Sequence, residues 1–333
     1  MQISDVVAVE KWEAFLKASE FSNIFSSPDM ISAFENSSGF EVYPLFAIEN
    51  DIIFAAAFPV LVKIKTPLPE KYSNRLILYS TPVFEKSEKG IEGLKIILSK
   101  FRAIASKKAL FGEIRNSESF DLPSFQAQNT EWGYIPYQNY IIDLSVGKDN
   151  LWDSLASPTR NIIKKGEKRG MQVREVMPEE VDTAVDLLEG LYKRKNIPFI
   201  DRSLFSNAYN LLLPKGLIRI LCAEYENKMI GVRISLQYNK TIYDWFAASD
   251  NEFSNFYVNE GLAWNSICWG IDNGYKIFDF GGGAVKGQEY GPAKFKEKFK
   301  GELVEYGRYR CISNKTVFFL ASKFYELRTK KKK

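Results

Sequence analysis

The order of helical and strand-like segments most constrains the fold of this 333-residue chain, because it is nearly the same in both halves. Each half begins with two amphipathic helices and three strand-like runs, and then alternates helix, strand, helix and strand. The halves share this order without a residue-level repeat. We therefore predict an α/β (α+β) protein of two related domains, each with a mixed central sheet flanked by helices.

Some of the predicted strands lie beside residues that bear on the site. Residues 52–62 read as one strand, residues 140–144 as the last strand of the first half, and residues 303–311 as the last strand of the chain. Residues 276–280 read as a strand that three glycines end. A short basic helix is predicted over residues 294–300.

The composition excludes several kinds of chemistry. Histidine is absent, which removes histidine-based triads, histidine-ligated zinc and haem, and histidine general bases. The three cysteines (Cys222, Cys268 and Cys311) are far apart in sequence, so neither a disulfide framework nor a cysteine-type zinc site is encoded. Any reaction must use Asp, Glu, Lys, Arg, Tyr or backbone groups.

The hydropathy pattern predicts a cytoplasmic protein. No apolar run approaches the roughly 18–20 residues that cross a bilayer. The first ten residues carry acids and no basic segment, so we expect no signal peptide. A reducing cytoplasm is the expected compartment.

Positive charge is concentrated at the C-terminal end. Residues 290–333 carry 13 Lys/Arg against four Asp/Glu, whereas the whole chain has a net charge of +4. This asymmetry indicates an anionic partner near the last segment, with a solubilising tail as the alternative. Apolar residues among the last lysines also favour an amphipathic helix that lies on lipid, or one that packs on its own domain.

The connector between the halves places cations on one helical face. Ser157-Pro158 starts a helix in which Arg160, Lys164 and Lys168 follow at intervals of four residues. Like charges at this spacing repel, so a bound anion would offset the cost. The pattern indicates a phosphate- or carboxylate-binding site, and a solvated connector is the alternative.

Two further segments could carry chemistry. Asp279 precedes Phe280 and three glycines (Gly281, Gly282 and Gly283), which let the backbone turn sharply or let a ligand approach closely. Phe295 and Phe299 would anchor a helix on which Lys296 could stabilise an oxyanion. A structural turn and a solvated charged face are the respective alternatives.

The aromatic residues of the second half raise one more pair of interpretations. They could stack a nucleotide or sugar, or they could simply be the buried aromatics of a strand and a helix. The residues concerned are Tyr243, Trp245, Phe246, Phe256, Tyr257, Trp264 and Trp269.

Taken in order, these segments resemble a known family. The pattern Arg-x-x-Ile-x-Lys-x-x-Lys-x-Gly spans residues 160–170, the helix at 259–274 follows, and Phe-Asp-Phe-Gly-Gly occupies 278–282. Phe-Lys-x-x-Phe-x-Gly follows at 295–301, and Ile-Phe-Ser-Ser-Pro stands at 24–28. The ordered set resembles the FemAB-like and CelD-like acyltransferases over roughly residues 8–311.

The resemblance implies two tandem acetyltransferase-like (GNAT) folds. The expected bounds are 1–147 for the N-terminal domain, 148–320 for the C-terminal domain and 321–333 for a basic tail. The implied activity is transfer of an acyl or aminoacyl group to an amine of a cell-envelope precursor, either a peptidoglycan-type peptide or a surface glycan. The competing hypothesis is a non-catalytic protein with a degenerate GNAT fold that binds an anionic ligand, RNA or a membrane surface.

The resemblance also implies roles for residues. Lys296 matches the lysine that stabilises the tetrahedral intermediate, and Arg160 matches a residue that holds a substrate diphosphate. We expect Asp279 to position the glycine turn, with a general-base role as the alternative. The remaining expected substrate-binding residues are Lys164, Gly281, Gly282, Gly283, Asn259, Tyr257 and Phe295.

The acyl donor stays open between aminoacyl-tRNA and acyl-CoA, and no permanently bound cofactor or metal is expected. Residues 248–257, which precede the late helix, lack the Gln/Arg-x-x-Gly-x-Gly loop by which acetyl-CoA enzymes of this fold hold pyrophosphate. The expected partner is an anionic small-molecule or lipid-linked precursor. Transfer RNA and, through the basic C-terminus, a membrane surface are further candidates.

Overall fold

A computed structural model describes residues 1–64, 69–119, 131–287 and 291–330. It divides into two compact units. The first unit comprises Met1–Pro136 and Tyr306–Lys333, and the second comprises Tyr137–Glu305.

The described residues form helices and strands in mixed order, as expected for an α/β protein. The helices are α1 (Val9–Ala18), α2 (Pro28–Glu35), α3 (Glu70–Ser73), α4 (Glu88–Lys108), α5 (Lys148–Ser154), α6 (Ser157–Lys168), α7 (Val181–Arg194), α8 (Ser203–Leu212), α9 (Val258–Asp272), α10 (Gly291–Glu297) and α11 (Lys315–Lys330). The strands are β1 (Gln2–Ser4), β2 (Phe40–Val42), β3 (Leu45–Glu49), β4 (Ile52–Ala57), β5 (Val60–Val62), β6 (Arg75–Leu78), β7 (Val83–Phe84), β8 (Phe111–Arg115), β9 (Gly133–Ile135), β10 (Tyr137–Asp143), β11 (Gln172–Glu175), β12 (Ile218–Tyr225), β13 (Lys228–Tyr238), β14 (Thr241–Ser249), β15 (Ile277–Val285), β16 (Glu302–Glu305) and β17 (Arg308–Ile312).

The first unit contains two sheets, ordered β1-β3-β4-β7 and β2-β5-β6-β8-β17-β9 among the described residues. The prediction of one strand over residues 52–62 is wrong, because β4 and β5 lie in different sheets. Pro59 stands between them and cannot donate a ladder hydrogen bond, which favours the break.

The core of the first unit lies between α4 and strands of both sheets. Ser87 caps α4 by accepting a hydrogen bond from the Gly90 backbone, and the helix buries Ile97, Leu98 and Phe101. These side chains belong to one cluster with strand residues of both sheets, such as Leu45 of β3. The apolar side chains that recur along α4 therefore form the face by which this helix packs on the core.

The second unit is built on one sheet, ordered β11-β12-β13-β14-β15-β10-β16 among the described residues. Neighbouring strands run antiparallel except for β14 and β15. In this part of the chain, these two parallel strands pair only through residues 241–243 and 277–279, although both continue for six more residues. They therefore separate beyond Tyr243 and Asp279 and leave a wedge between them.

Two predicted strands near the C-terminus differ from the structure. The glycines do not end the strand at 276–280, because β15 continues through them to Val285 and pairs with β10. Residues 303–311 are not one strand either, because β16 pairs with β10 of the second unit and β17 pairs with β8 and β9 of the first. Gly307 between them has a φ of +71°, a conformation that favours glycine and interrupts a strand.

The compact units therefore differ in extent from the expected domain bounds of 1–147, 148–320 and 321–333. Strand β10 belongs with the second unit, and residues 306–333 belong with the first. Residues 321–330 of the expected tail continue α11, and residues 331–333 lie outside the described residues. No helix among the described residues is both long and apolar enough to cross a membrane.

Candidate active site

Several charged side chains of the second unit meet at the wedge between β14 and β15. Asp244 is the first residue of β14 beyond the parallel pairing, and Asp279 is the last paired residue of β15. Lys296 of the short helix α10 reaches the same part of β15. A parallel strand pair that opens at its carboxyl ends is a common position for a ligand in an α/β protein.

Lys296 is held by backbone carbonyls of the widening strand. Its Nζ donates hydrogen bonds to the carbonyl oxygens of Phe280 at 2.5 Å and Gly282 at 2.7 Å. Burial lowers the pKa of Lys296, while the negative charges of Asp244 and Asp279 oppose this shift. The lysine is therefore a half-buried cation that two backbone carbonyls hold in place.

Two phenylalanines fix the segment that carries Lys296. The rings of Phe295 and Phe299 lie 5.4 Å apart, and both contact the ring of Phe280. Phe299 is completely buried. The expected anchoring of this segment to the core is thus confirmed, although the helix spans residues 291–297 rather than 294–300.

Asp279 holds the turn of the strand at Gly281. Its Oδ1 accepts a hydrogen bond from the Gly281 backbone at 2.6 Å, and Gly281 has a φ of +68°. Asn139 of β10 donates a longer bond of 3.4 Å to the same oxygen. Burial raises the pKa of Asp279 to about 6, although the Gly281 hydrogen bond and the charge of Lys296 oppose the rise.

Arg233 and Asp244 form a buried ion pair that the sequence analysis did not single out. Arg233 of β13 is only 2% exposed, and its Nη1 lies 2.7 Å from Asp244 Oδ1. Its guanidinium also lies within 6 Å of the rings of Phe280 and Phe295. The sequence does contain a sign of this pair, since Arg233 is the single arginine inside the apolar run at residues 229–236. A charged residue is rarely buried in a strand without a partner of opposite charge.

Gly282 and Gly283 have structural reasons to be glycine. A Cβ at Gly282 would come within 2.5 Å of the Tyr137 ring, and a Cβ at Gly283 within 3.0 Å of the Tyr140 ring. Both tyrosines belong to β10, which pairs with β15. The space beside these glycines is filled by protein, and their assignment to substrate binding stays a prediction.

Arg160 and Lys164 of α6 are directed at α5. Arg160 Nη1 donates to the carbonyl oxygens of Asp153 at 3.0 Å and Trp152 at 3.4 Å, near the end of that helix. Lys164 Nζ lies 5.0 Å from the centre of the Trp152 ring. Trp152 packs against the same hydrophobic cluster as Phe295 and Phe280, so these cations and Lys296 border one core. Their role in anion binding stays a prediction.

Tyr257 and Asn259 lie at the start of α9. Tyr257 is the N-cap and has a left-handed φ of +53°, and Lys165 lies over its ring at 5.4 Å. Asn259 donates to the Ser249 hydroxyl at 3.0 Å, and its carbonyl oxygen lies 3.5 Å from Arg233 Nη2. Asn259 thereby connects the start of α9 with the Arg233–Asp244 pair.

The aromatic residues that raised the stacking interpretation fall into separate packing groups. Trp245 and Phe246 contact Phe205 of α8. Other pairs join Phe256 to Tyr225, Trp264 to Trp152 and Trp269 to Tyr275. Each of these five rings therefore packs against another ring of the second unit; Phe256 is buried, and the other four are half-buried.

The chemistry of the wedge suits transfer of a carbonyl group. A buried ammonium group near neutral backbone carbonyls can stabilise the negative charge that develops on a carbonyl oxygen. The carboxyl group of Asp279, whose pKa is about 6, lies on β15, the strand that holds Lys296, and it can be ionised at neutral pH. Asp279 is fixed on β15, and Lys296 of α10 is fixed to the same strand by two hydrogen bonds, which favours precise positioning.

Comparison with known proteins agrees with this geometry. Residues 157–297, which contain the wedge and Lys296, match the family described as Acetyltransferase (GNAT) domain. No curated protein sequence gives a significant match.

Solved structures extend the similarity to the whole chain. The crystal structure of FemX has a TM-score of 0.70 and 16% identity, and the alignment covers 96% of this chain and 99% of that one. L-PGS from Bacillus licheniformis has a TM-score of 0.60 and 14% identity, with 96% and 98% covered. A tandem GNAT protein from the clavulanic acid biosynthesis pathway has a TM-score of 0.61 and 11% identity, with 94% and 98% covered. At these identities the likeness establishes the fold, and the expected arrangement of tandem GNAT folds is confirmed.

Proposed function

We propose that this chain, a FemAB-like protein of the GNAT superfamily with its acetyltransferase domain at residues 157–297, transfers an aminoacyl group to an amine of a cell-envelope precursor. The observation that carries the proposal is the position of Lys296, whose Nζ is fixed at the carbonyl oxygens of Phe280 and Gly282 where the wedge opens. A cation fixed at that point can meet the carbonyl oxygen of a bound acyl donor.

The reaction needs two contributions from the protein. Binding orients the amine against the ester carbonyl, which can contribute on the order of 7–11 kcal/mol when the geometry is tight. Lys296 stabilises the oxyanion of the tetrahedral intermediate as the carbon–nitrogen bond forms. The ester oxygen then leaves with a proton, and the amine loses one. An activated ester makes this chemistry feasible without histidine.

The start of α9 favours aminoacyl-tRNA over acyl-CoA as the donor. The segment before α9 forms a turn of 3-10 helix at Asn251–Phe256. Within that turn, Phe253 and Phe256 pack against Tyr225, and their rings lie in the stretch where acetyl-CoA enzymes of this fold hold pyrophosphate on a glycine-rich loop.

Exposed cations and one structural neighbour support the same donor. Lys164, Lys165 and Lys168 lie exposed along α6, where they can contact an RNA backbone. One similar structure is the C-terminal domain of a putative lysylphosphatidylglycerol synthetase from Agrobacterium fabrum, a name that implies an aminoacylated product. A reaction that consumes aminoacyl-tRNA belongs in the cytoplasm, the compartment that the sequence analysis expects.

The acceptor we propose is an anionic precursor with a free amine, either a peptidoglycan-type peptide or an amino sugar of a surface glycan. Arg160 and Lys164 border the same core as the wedge and supply positive charge for its phosphate groups.

A donor competition assay tests the proposal. The protein is incubated with labelled aminoacyl-tRNA or labelled acyl-CoA and with an amine-bearing envelope precursor, and amide product is counted. We expect product from aminoacyl-tRNA and a rate at least about tenfold lower from acyl-CoA. Product from acyl-CoA alone would overturn the donor assignment, and the absence of product from either donor would favour the non-catalytic alternative.

The pH dependence of kcat/KM should reflect the ionisation of Asp279. Burial raises the pKa of Asp279 to about 6, so this side chain becomes protonated as the pH falls through about 6. The Gly281 N–H then no longer has a charged acceptor. We expect kcat/KM of the native protein to fall below about pH 6, and D279N to have lower activity without this acid limb. An acid limb that persists unchanged in D279N would assign the titration to another group.

A second candidate function, contact with an anionic membrane, rests on the exposed face of α11. Phe319 and Leu320 are 55% and 61% exposed, and Lys323 lies 4.6 Å from the centre of the Phe319 ring. Apolar side chains beside lysines are typical of helices that lie on lipid. The side chains of Phe324, Tyr325 and Leu327, which belonged to the same expectation, lie outside the described residues.

Vesicle sedimentation tests this contact. With phosphatidylglycerol vesicles, the double variant F319S/L320S should bind at least about fivefold more weakly than the native protein, because it removes most of the exposed apolar area of this face. V6S, which replaces a similarly exposed residue of the first unit, serves as the control. Equal sedimentation of the native protein and F319S/L320S would exclude this helix as the contact.

A further inference from the structure

Arg233 of β13 is a buried cation that is short of hydrogen-bond partners. The residue is only 2% exposed, and its guanidinium group carries five N–H donors. Nη2 donates one long hydrogen bond of 3.5 Å to the Asn259 carbonyl oxygen, whereas Nε and Nη1 have no hydrogen-bond partner among the described residues. Buried donors without an acceptor are rare in native proteins and often mark a catalytic or binding role.

Asp244 of β14 compensates the charge of Arg233 and keeps capacity for another partner. Arg233 Nη1 lies 2.7 Å from Asp244 Oδ1, yet this buried oxygen accepts no well-aligned hydrogen bond from any described residue. The Asp244 side chain is 11% exposed. Because an ionised carboxylate has about four acceptor positions, Asp244 can accept hydrogen bonds from a cationic group of a ligand.

Glu113 of β8, in the first unit, is a buried carboxylate whose oxygens the protein satisfies with its own side chains. It is 2% exposed, and its Oε1 accepts from Arg115 Nε at 3.0 Å and Arg308 Nη1 at 3.4 Å. Its Oε2 accepts from Arg310 Nε at 2.9 Å. Asp244 is also largely buried but lacks aligned donors of this kind, so the two carboxylates are held in different ways.

Asn259 contributes a further acceptor beside the Arg233–Asp244 pair. Its Nδ2 donates to the Ser249 hydroxyl at 3.0 Å, and its Oδ1 is buried without a donor in the described part of the chain. The contact of its backbone carbonyl with Arg233 places the residue next to the ion pair. Asp244 and Asn259 together offer acceptor oxygens, which suit an ammonium group because that group has three N–H donors and no acceptor.

Lys296 and Asp244 lie near each other without direct contact. Two of the three Lys296 Nζ donors go to the carbonyl oxygens of Phe280 and Gly282, which leaves one for a bound acyl donor. The charge of Asp244 opposes the lowering of the Lys296 pKa by burial, yet no ion pair joins these two side chains within the described ranges. An aminoacyl ester carries its ammonium group one carbon from its carbonyl, so one ester can contact both side chains.

We propose that Asp244, held by Arg233, binds the α-ammonium group of the aminoacyl donor while Lys296 binds its carbonyl oxygen. This binding role rests on the proposed function and names the chemical group by which the site selects its donor. Asn259 Oδ1 accepts a further N–H of the same ammonium group. Arg233 is a positioning residue that orients the carboxylate, and its poorly aligned contact with Asp244 tightens when the ammonium binds.

Two matched donors test this role. The aminoacyl-tRNA that gives the most product is compared with the α-hydroxyacyl-tRNA that nitrous acid makes from it, which has a hydroxyl group in place of the ammonium. D244N removes the negative charge with little change of shape. It should lower the preference for the aminoacyl donor, expressed as the ratio of the two kcat/KM values, about tenfold or more relative to the native protein. The intrinsic reactivities of the two esters cancel, because the same ratio is compared between variants.

E260Q is the matched control, because the Glu260 side chain is also 11% exposed but accepts a hydrogen bond from Lys298 at 2.7 Å. It should keep the native preference. The double variant R233Q/D244N removes both charges of the buried pair, and it guards against a folding defect caused by an uncompensated arginine. Its preference should equal that of D244N.

The outcomes separate this role from the proposed function. An equal loss with both donors in D244N would place Asp244 outside the recognition of the ammonium group and overturn the role, while acyl transfer stands. A native preference in R233Q/D244N, or a loss in E260Q equal to that in D244N, would also overturn it. If no aminoacyl-tRNA gives product with the native protein, the proposed function fails and the role of Asp244 fails with it.

Discussion

Replacing Lys296 by methionine should lower kcat about 100-fold or more, with a much smaller change in KM for the acceptor. The loss follows from the position of Nζ at the opening of the wedge, where it can stabilise charge that is present only in the transition state. Methionine preserves most of the buried side-chain volume, so the packing of Phe295 and Phe299 should persist. Steady-state kinetics with aminoacyl-tRNA and a precursor amine measure the effect.

The matched control is K294M, which removes an exposed lysine from the same helix. It should retain activity within about threefold of the native protein. Thermal unfolding of both variants separates a catalytic defect from a folding defect. If K296M retains activity within a few-fold of the native protein, Lys296 takes no part in the reaction, and the proposed function loses the observation on which it rests.

Replacing Glu113 by glutamine should lower the free energy of unfolding by about 3–5 kcal/mol. The substitution leaves the guanidinium groups of Arg115, Arg308 and Arg310 close together without their central negative charge. Since Arg308 and Arg310 belong to β17, the loss should also loosen this strand from β8. Urea-induced unfolding, followed by tryptophan fluorescence, measures the difference.

The pH dependence of this effect follows from the pKa of Glu113. Burial alone would raise that pKa, but the three arginines outweigh it and hold the value at about 2. Because the folded-state pKa is lower than the unfolded one, the stabilisation is present above about pH 4.5 and is lost as the pH falls towards 2. The native protein and E113Q should therefore differ least in the acid range.

E92Q is the control for this experiment, because Glu92 is an exposed carboxylate of α4 in the same unit. Its substitution should change the free energy of unfolding by no more than about 0.5 kcal/mol. A similar cost for E92Q and E113Q at neutral pH would show that the arginine contacts contribute no special stability.

Much of the local structure could be predicted from the sequence. The Ser157-Pro158 pair identified the start of α6, which begins at Ser157 and has Pro158 in its first turn. The spacing of Phe295 and Phe299 correctly placed Lys296 on a segment anchored to the core. These features depend on residues within a few positions of one another, so the sequence pattern is enough to predict them.

The errors concern strands and their partners. The glycines at 281–283 read as the end of a strand, yet β10 pairs with β15 across them and packs tyrosines against two of them. Residues 303–311 read as one strand, although Gly307 divides them between two sheets. A pattern of alternating apolar residues does not specify which strand will pair with it.

The sequence by itself determined the order of elements, the two-domain α/β architecture and the lysine on its anchored helix. Only the tertiary structure decided that Arg233 faces Asp244 beside the wedge and that Glu113 collects three arginines from β8 and β17. Arg115 is only two positions from Glu113, but the other contacts join residues from 11 positions apart, for Arg233 and Asp244, to 197 positions apart, for Glu113 and Arg310. Burying a charge is favourable only when an opposite charge is buried beside it. The tertiary fold determines which residue supplies that opposite charge.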